Sequence, residues 1–474
     1  MEQDLRKQKM LLDPIKRIIP AMAIPTIIAF LINSIYSLAD TYFVSGLGTE
    51  ATAAVGVNSS LDQLIMMCGS LLAIGANSYI ARLLGKGDDK KASQVLSTAF
   101  FLALGIGVVL MACGTIWMYP MVRFLGATPT CEQYAVDYAT YVLMAAPFMA
   151  ASFVMNQCLR SEGSAMLSMI GMSFGGVLNC VLDPIFILNE GDLLFGAIPM
   201  PFGFDMGVAG ASLATAISKV VSFAILIWPY ISKRSVLRLG MRYFRLAKDI
   251  MVEIISVGAS SMFRSGLAVV AAILLNDMAG EISDSVLAGI SVCTKIMMFP
   301  FSIILGFGTG FQPVAGFNWG AERYDRVRES YRFSSIVAVI GAAIMAVVLA
   351  IFAEPVIGWF SGAEIDAEMQ KIGTLCIVTQ CISLPVHAWV AVVNMYCNGL
   401  GNAGGAFLLA TSRQGTCFIP ILFPLAAKFG AWGLASVQGV ADVLSLVFAI
   451  PMAIYMAKKV KRAAQAKGQN ALVK

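Results

Sequence analysis

Apolar residues in this chain come in long continuous runs rather than short alternating stretches. Charged and turn residues interrupt them at regular intervals. The pattern predicts twelve segments, at 18–43, 52–80, 94–118, 133–158, 166–189, 207–229, 250–276, 285–310, 332–353, 371–398, 406–427 and 431–456. Each has the roughly 20 apolar residues that a helix needs to cross a bilayer, about twice what a barrel strand needs. A helix also satisfies its own backbone polar groups inside lipid. The expected fold is an all-α membrane protein with twelve transmembrane helices. Ala21-Met22-Ala23 resembles a signal cleavage site but sits at the start of the apolar run rather than after it, so span 1 is expected to be retained.

The pattern repeats. Val55-Gly56 matches Ala288-Gly289, and Leu84-Gly85 in the first basic stretch matches Trp319-Gly320 in a later one. Gly207-Val208-Ala209-Gly210 matches Gly430-Ala431-Trp432-Gly433. These matches predict two pseudo-symmetric six-helix bundles, 1–230 and 250–457. A basic linker, 231–249, joins them and a basic tail, 458–474, follows. An even number of spans per half makes the repeat parallel, an arrangement common among transporters.

Composition supports this reading: 58% of the 474 residues are hydrophobic and 13% are charged, against about 25% charged in soluble domains. Soluble enzymes and nucleic-acid binders are thereby disfavoured. The net charge of +5 matters less than its placement. With residues 1–17 on the cytoplasmic side, 27 of the 33 Lys and Arg fall on that side, Arg160 and Arg413 among them. Arg123, Lys371 and Lys428 face outward, and Lys219, Arg264 and Lys295 lie within spans. The positive-inside rule then places both termini in the cytoplasm. Ten cysteines without a C-x-x-C pair read as small apolar filler, and a single histidine disfavours a zinc site.

A charge within a span normally has a partner or a task. Asp40 lies toward the outer end of span 1 and Asp183 in the outer half of span 5. Asn179 is one turn from Asp183, and Thr215 lies about two turns into span 6. Two carboxylates, an amide oxygen and a hydroxyl form a hard-oxygen set that suits a small cation or a proton. Pro25 and Pro184 permit kinks in the same spans. Arg264, Lys295, Gln312 and His387 are candidates for lining a substrate cavity in the second half. His387 also reads as a proton relay or as a packing residue. Lys219, Asp442 and Asp62 have no role assigned by their spacing. Gly306-Phe307-Gly308-Thr309-Gly310 follows no strand, so helix packing explains it better than phosphate binding; Gly171 and Gly175 suggest another close helix contact.

Several motifs resemble those of multidrug and toxic compound extrusion (MATE) transporters, in particular a MepA-like bacterial branch. They are Tyr36-Ser37-Leu38-Ala39-Asp40-Thr41-Tyr42-Phe43 with Gly46-Leu47-Gly48, Ala81-Arg82-Leu83-Leu84-Gly85, Leu159-Arg160-Ser161-Glu162-Gly163 and Gly308-Thr309-Gly310-Phe311-Gln312-Pro313. The resemblance covers nearly the whole chain. It implies two bundles around a V-shaped cavity and export of organic, often cationic, compounds in exchange for Na⁺ or H⁺. It also implies a first-half cation site at Asp40, Asn179, Asp183 and Thr215, with Asn156 sometimes added. The second-half acids that another branch uses are absent here.

The expected function is secondary antiport of drugs or metabolites by rocking bundles, with no cofactor beyond the coupling ion and no enzymatic activity. The expected partners are small organic substrates and membrane lipids, with no nucleic acid, and the chain is expected to act as a monomer. The alternative is a lipid-linked precursor flippase of the same superfamily. The same oxygens serve either ion.

Overall fold

The structure, a computed structural model, describes residues 2–45, 47–189, 193–194, 198–199, 202–360 and 366–468. Gly46 of the span 1 motif and Lys474 of the tail lie outside the described residues. Among the described residues twelve helices are long and apolar enough to cross a membrane, and the chain is a multi-pass membrane protein. They are Ile15–Val44, Ala53–Lys86, Asp89–Ile116, Glu132–Ser161, Ala165–Ile187 and Gly207–Ile231, then Lys248–Ile282, Asp284–Gly320, Tyr324–Gly358, Ala367–Gly399, Ala403–Phe429 and Ala431–Ala466.

Most helices extend past the apolar segment that predicts them, span 8 by ten residues and span 9 by eight at its start. An apolar run marks the stretch that needs lipid, whereas the helix continues wherever polar side chains can reach water. For the same reason the helix Glu2–Leu12, too polar to stand out, escapes the sequence pattern. It is tied down by unit 2, described below: Asn318 Nδ2 donates to Met10 O at 3.3 Å and Arg326 Nη2 to Asp13 O at 2.6 Å. Two further features were unforeseen. Span 11 is interrupted by a π-helical turn, Ser412–Thr416, and Leu193–Leu194 pairs antiparallel with Ile198–Pro199.

The chain groups into two compact units. Unit 1 is built mainly from Ile28–Ile80 and Asp88–Ile255, and unit 2 from Asp4–Ile27, Ala81–Gly87 and Ser256–Lys474. Span 1 therefore contributes its first half to unit 2 and its second half to unit 1. Leu61, Ile65, Val142 and Leu143 lie in the core of unit 1. Ile290, Met297, Ile377 and Leu384 lie in that of unit 2.

The repeated glycine motif has the same packing role twice. A Cβ on Gly210 would lie 2.4 Å from Phe186 O, and one on Gly433 would lie 2.1 Å from Leu425 O. In each unit the last span thus begins against the backbone of the span before it. Gly306 and Gly310 likewise lie against the backbone of Ile27 and Ala23, in keeping with packing rather than phosphate binding.

The stretch 231–249 is a strap packed on spans 3 and 4. Glu162, 1% exposed, accepts from Ser235 Oγ at 2.6 Å and from the Val236 and Leu237 amides at 2.9 and 3.4 Å. Ser93 Oγ accepts from the Arg238 amide at 3.0 Å, and Thr98 Oγ1 accepts from the Arg245 amide at 3.2 Å. Glu162→Ala strands these buried donors and is expected to cost about 2–3 kcal/mol, while Glu162→Gln keeps an acceptor and costs less. Thermal midpoints of the two purified variants check this; equal midpoints would contradict it.

Arg413, which the charge count sets on the cytoplasmic side although segment 406–427 contains it, lies inside span 11 at the π-helical turn. Arg160 is buried at the end of span 4, its guanidinium 5.5 Å from the Phe30 ring centroid.

Candidate functional site

Close helix approach comes first. Gly175 lets span 5 meet Ser218 O and Ser222 of span 6, and Gly176 lets it meet Ile32 and Tyr36 of span 1. Gly171 lies against Leu226. The residues one to two turns further along span 5 are thereby drawn together with spans 1 and 6. At 1.5 Å per residue, Asp40, Asn179, Asp183 and Thr215 all lie about 6–12 Å from the ends of their spans on the side opposite the termini.

The contacts follow from that shared depth. Asn179 Nδ2 donates to Asp183 Oδ1 at 3.2 Å and to Thr215 Oγ1 at 3.1 Å. Asp183 is fully buried, and Asn179, Thr215 and Asp40 are nearly so. Asp40 and Asp183 are close enough to act on each other electrostatically. Three oxygens that face no hydrogen donor remain: Asp40 Oδ1, Asn179 Oδ1 and Asp183 Oδ2. Buried acceptors are normally paired. Two carboxylates in one buried pocket require a cation or a proton to balance them. The donor set consists of carboxylate, amide and hydroxyl oxygens, as a hard cation prefers. Among the described residues no group of three or more His, Cys, Asp or Glu gathers as a metal site.

Tyr138 of span 4 joins the cluster although nothing in its spacing marks it. Its hydroxyl donates to Asp40 Oδ2 at 3.5 Å and is also hydrogen-bonded with Thr215. Asp62 of span 2 acts electrostatically on Asp40, and Lys219 acts on both. Lys219 Nζ donates to Tyr36 Oη at 2.9 Å and lies 4.7 Å from that ring's centroid. Only the presence of charge in apolar spans pointed to Asp62 and Lys219. Asn156 is hydrogen-bonded elsewhere, its Nδ2 donating to Ser168 O at 3.0 Å. It lines a small cavity of about 60 Å³ next to Gly176, Lys219 and Ser222.

Both prolines lie inside helices. Pro184 directly follows Asp183 in the last turn of span 5, and its missing N–H leaves the Cys180 carbonyl free one turn back. Pro25 lies in the half of span 1 that belongs to unit 2.

The second-half candidates form no hydrogen-bonded cluster like that of Asp183, although His387 and Arg264 both act electrostatically with Arg413. Gln312 is fully buried and lines no described cavity. The rings of His387 and Phe301 meet edge to face at 5.3 Å. Arg264 Nη2 donates to Ser261 Oγ at 3.2 Å. Lys295 lines a cavity inside unit 2. Asp442 has a partner that spacing could not reveal, Arg413 Nε at 2.7 Å, and accepts also from Gln438 Nε2 at 3.0 Å and Ser383 Oγ at 3.4 Å.

Known proteins resemble this chain along most of its length. The multidrug export protein MepA of Staphylococcus saprophyticus is 28% identical over 413 residues, 87% of each chain. MepA of Staphylococcus aureus is 26% identical over 424 residues, 89% of each. A crystal structure of a MATE protein in complex with MaL6 superposes with a TM-score of 0.87 at 24% identity, over 96% of this chain and 99% of that one. An outward-facing multidrug resistance MATE family transporter of the MOP superfamily gives 0.86 at 25% identity, over 96% and 98%. The MatE family profile matches residues 25–185 and 261–423. That match takes in both halves, including Asp40, Asn179 and Asp183, and the chain belongs to the MatE family.

Proposed function

We propose that this protein is a secondary antiporter that exports small organic compounds, cationic or amphipathic drugs or metabolites, in exchange for Na⁺ or H⁺. The observation that carries the proposal is the buried cluster of Asp40, Asn179, Asp183 and Thr215 with its three open oxygens. Two relatives that share most of the chain are named multidrug export proteins. The cluster binds the coupling ion, and Tyr138 holds the Asp40 carboxylate toward it. Pro184 links the cluster to the local shape of span 5. Alternating access comes from movement of the six-span halves, 1–230 and 250–457. The bias of Lys and Arg toward one side supports cytoplasmic termini in a bacterial inner membrane. The protein works as a monomer among membrane lipids and performs no covalent chemistry.

Ethidium efflux from proteoliposomes, with Na⁺ and pH gradients imposed separately, tests this. One gradient at least should accelerate efflux above the rate without a gradient. Efflux indifferent to both would refute antiport.

A further inference from the structure

The interior of unit 2 carries a second set of charges that the coupling cluster does not use. A cavity of about 440 Å³ opens there, with Leu275, Met297 and Phe418 on its apolar wall and Lys295, Arg413 and Gln438 as polar members. This volume is within the usual range for a small-molecule pocket. Arg413 enters from the π-helical turn of span 11, a distortion often found where a side chain has a task. Its Nε pairs with Asp442 at 2.7 Å and its guanidinium carbon lies 4.3 Å from the Phe301 ring centroid. Its Nη2 is buried and has no hydrogen-bond partner. Lys295 lines the same cavity. Arg264 lies one turn from Ala268 in the cavity wall and shares an electrostatic environment with Arg413. Among the described residues neither Lys295 nor Arg264 makes an ion pair.

Three cations therefore share this region with one carboxylate, Asp442. Arg264 and Arg413 are partly buried and Lys295 is exposed, so this excess of positive charge favours a ligand of opposite sign. The open guanidinium nitrogen supplies a directed donor, and the apolar wall supplies area for a hydrophobic body. We propose that this cavity binds an amphipathic organic anion, with its negative group on Lys295 and Arg413 Nη2 and its body against Leu275, Met297 and Phe418. The site uses no residue of the Asp40 cluster and needs no ion gradient, so it stands or falls separately from the antiport reading.

The test is equilibrium binding of radiolabelled estrone sulfate to the purified full-length protein in phosphatidylcholine nanodiscs. The wild type should bind it saturably, and Lys295→Gln should weaken binding by about tenfold or more. Arg413→Gln alone would strand the buried Asp442. Arg413 is therefore tested in the double variant Arg413→Gln/Asp442→Asn, which removes both charges and should weaken binding to a similar degree. Thermal midpoints verify folding, and Lys295→Gln decides the matter alone if the double variant does not fold. Adding phosphatidylglycerol separates the sources of the anion. Competition in the wild type that disappears in Lys295→Gln assigns the site to a lipid headgroup; no competition assigns it to a soluble anion. Absence of saturable binding in the wild type, or undiminished binding in every folded variant, would overturn the proposal.

Discussion

Asp183→Asn is expected to reduce gradient-driven ethidium efflux to the rate of empty vesicles, while the protein still inserts and folds. The side chain is fully buried, accepts from Asn179 Nδ2 and leaves one oxygen open. An amide of the same shape keeps an acceptor for Asn179, so packing changes little. It removes the charge that a Na⁺ ion or a proton would balance, and with it the exchange. Relieving a buried carboxylate of that charge tends to stabilise the fold, so the thermal midpoint should hold or rise. Asp40→Asn should act in the same direction. Its carboxylate meets Tyr138 Oη at 3.5 Å, and its Oδ1 is buried without a hydrogen-bond donor. The readout is efflux under each gradient in turn, with midpoints as the control. Normal efflux by both single variants would sink the coupling assignment.

The second large effect concerns the fold. A Cβ on Gly320 would lie 2.0 Å from Arg82 O, and one on Gly85 would lie 2.1 Å from Phe317 O. These two positions correspond in the internal repeat, and each meets the backbone of the other's helix. A main-chain oxygen cannot swing aside as a flexible side chain can, so the helices themselves must part. Gly320→Ala and Gly85→Ala should each cost about 1–3 kcal/mol or more and lower the yield of folded protein. Gly341 in span 9 has nothing within 4 Å of a Cβ, so Gly341→Ala should be neutral or stabilising by about 0.5–1 kcal/mol. Thermal midpoints in one detergent compare the three. Equal stability of Gly320→Ala and Gly341→Ala would contradict the packing account.

The number and order of spans were readable because lipid imposes a length and a polarity that no soluble helix shares. Helix ends were not, since nothing apolar marks where a helix stops in water. The N-terminal helix and the strap at 231–249 escaped for a related reason: both are held by specific hydrogen bonds, from Arg326 and Asn318 in one case and to Glu162 in the other. The meeting of Asn179, Asp183 and Thr215 was legible from a one-turn spacing and a common depth. Tyr138 was not, because a tyrosine in a span is usually packing and only its direction toward Asp40 distinguishes it. Spacing links Arg413 to no partner, because Asp442 lies on the next span at a separation that no helical periodicity connects. Charge in an apolar run says that a partner exists, not where it is.

Ion displacement by substrate tests the central claim most directly. Purified protein in nanodiscs is equilibrated with ²²Na⁺ in one arm and with a pH-sensitive dye in the other, and ethidium is then added. The wild type should release one of the two ions as ethidium binds, and Asp183→Asn should release neither. Equal release from Asp183→Asn would show that the coupling ion resides elsewhere.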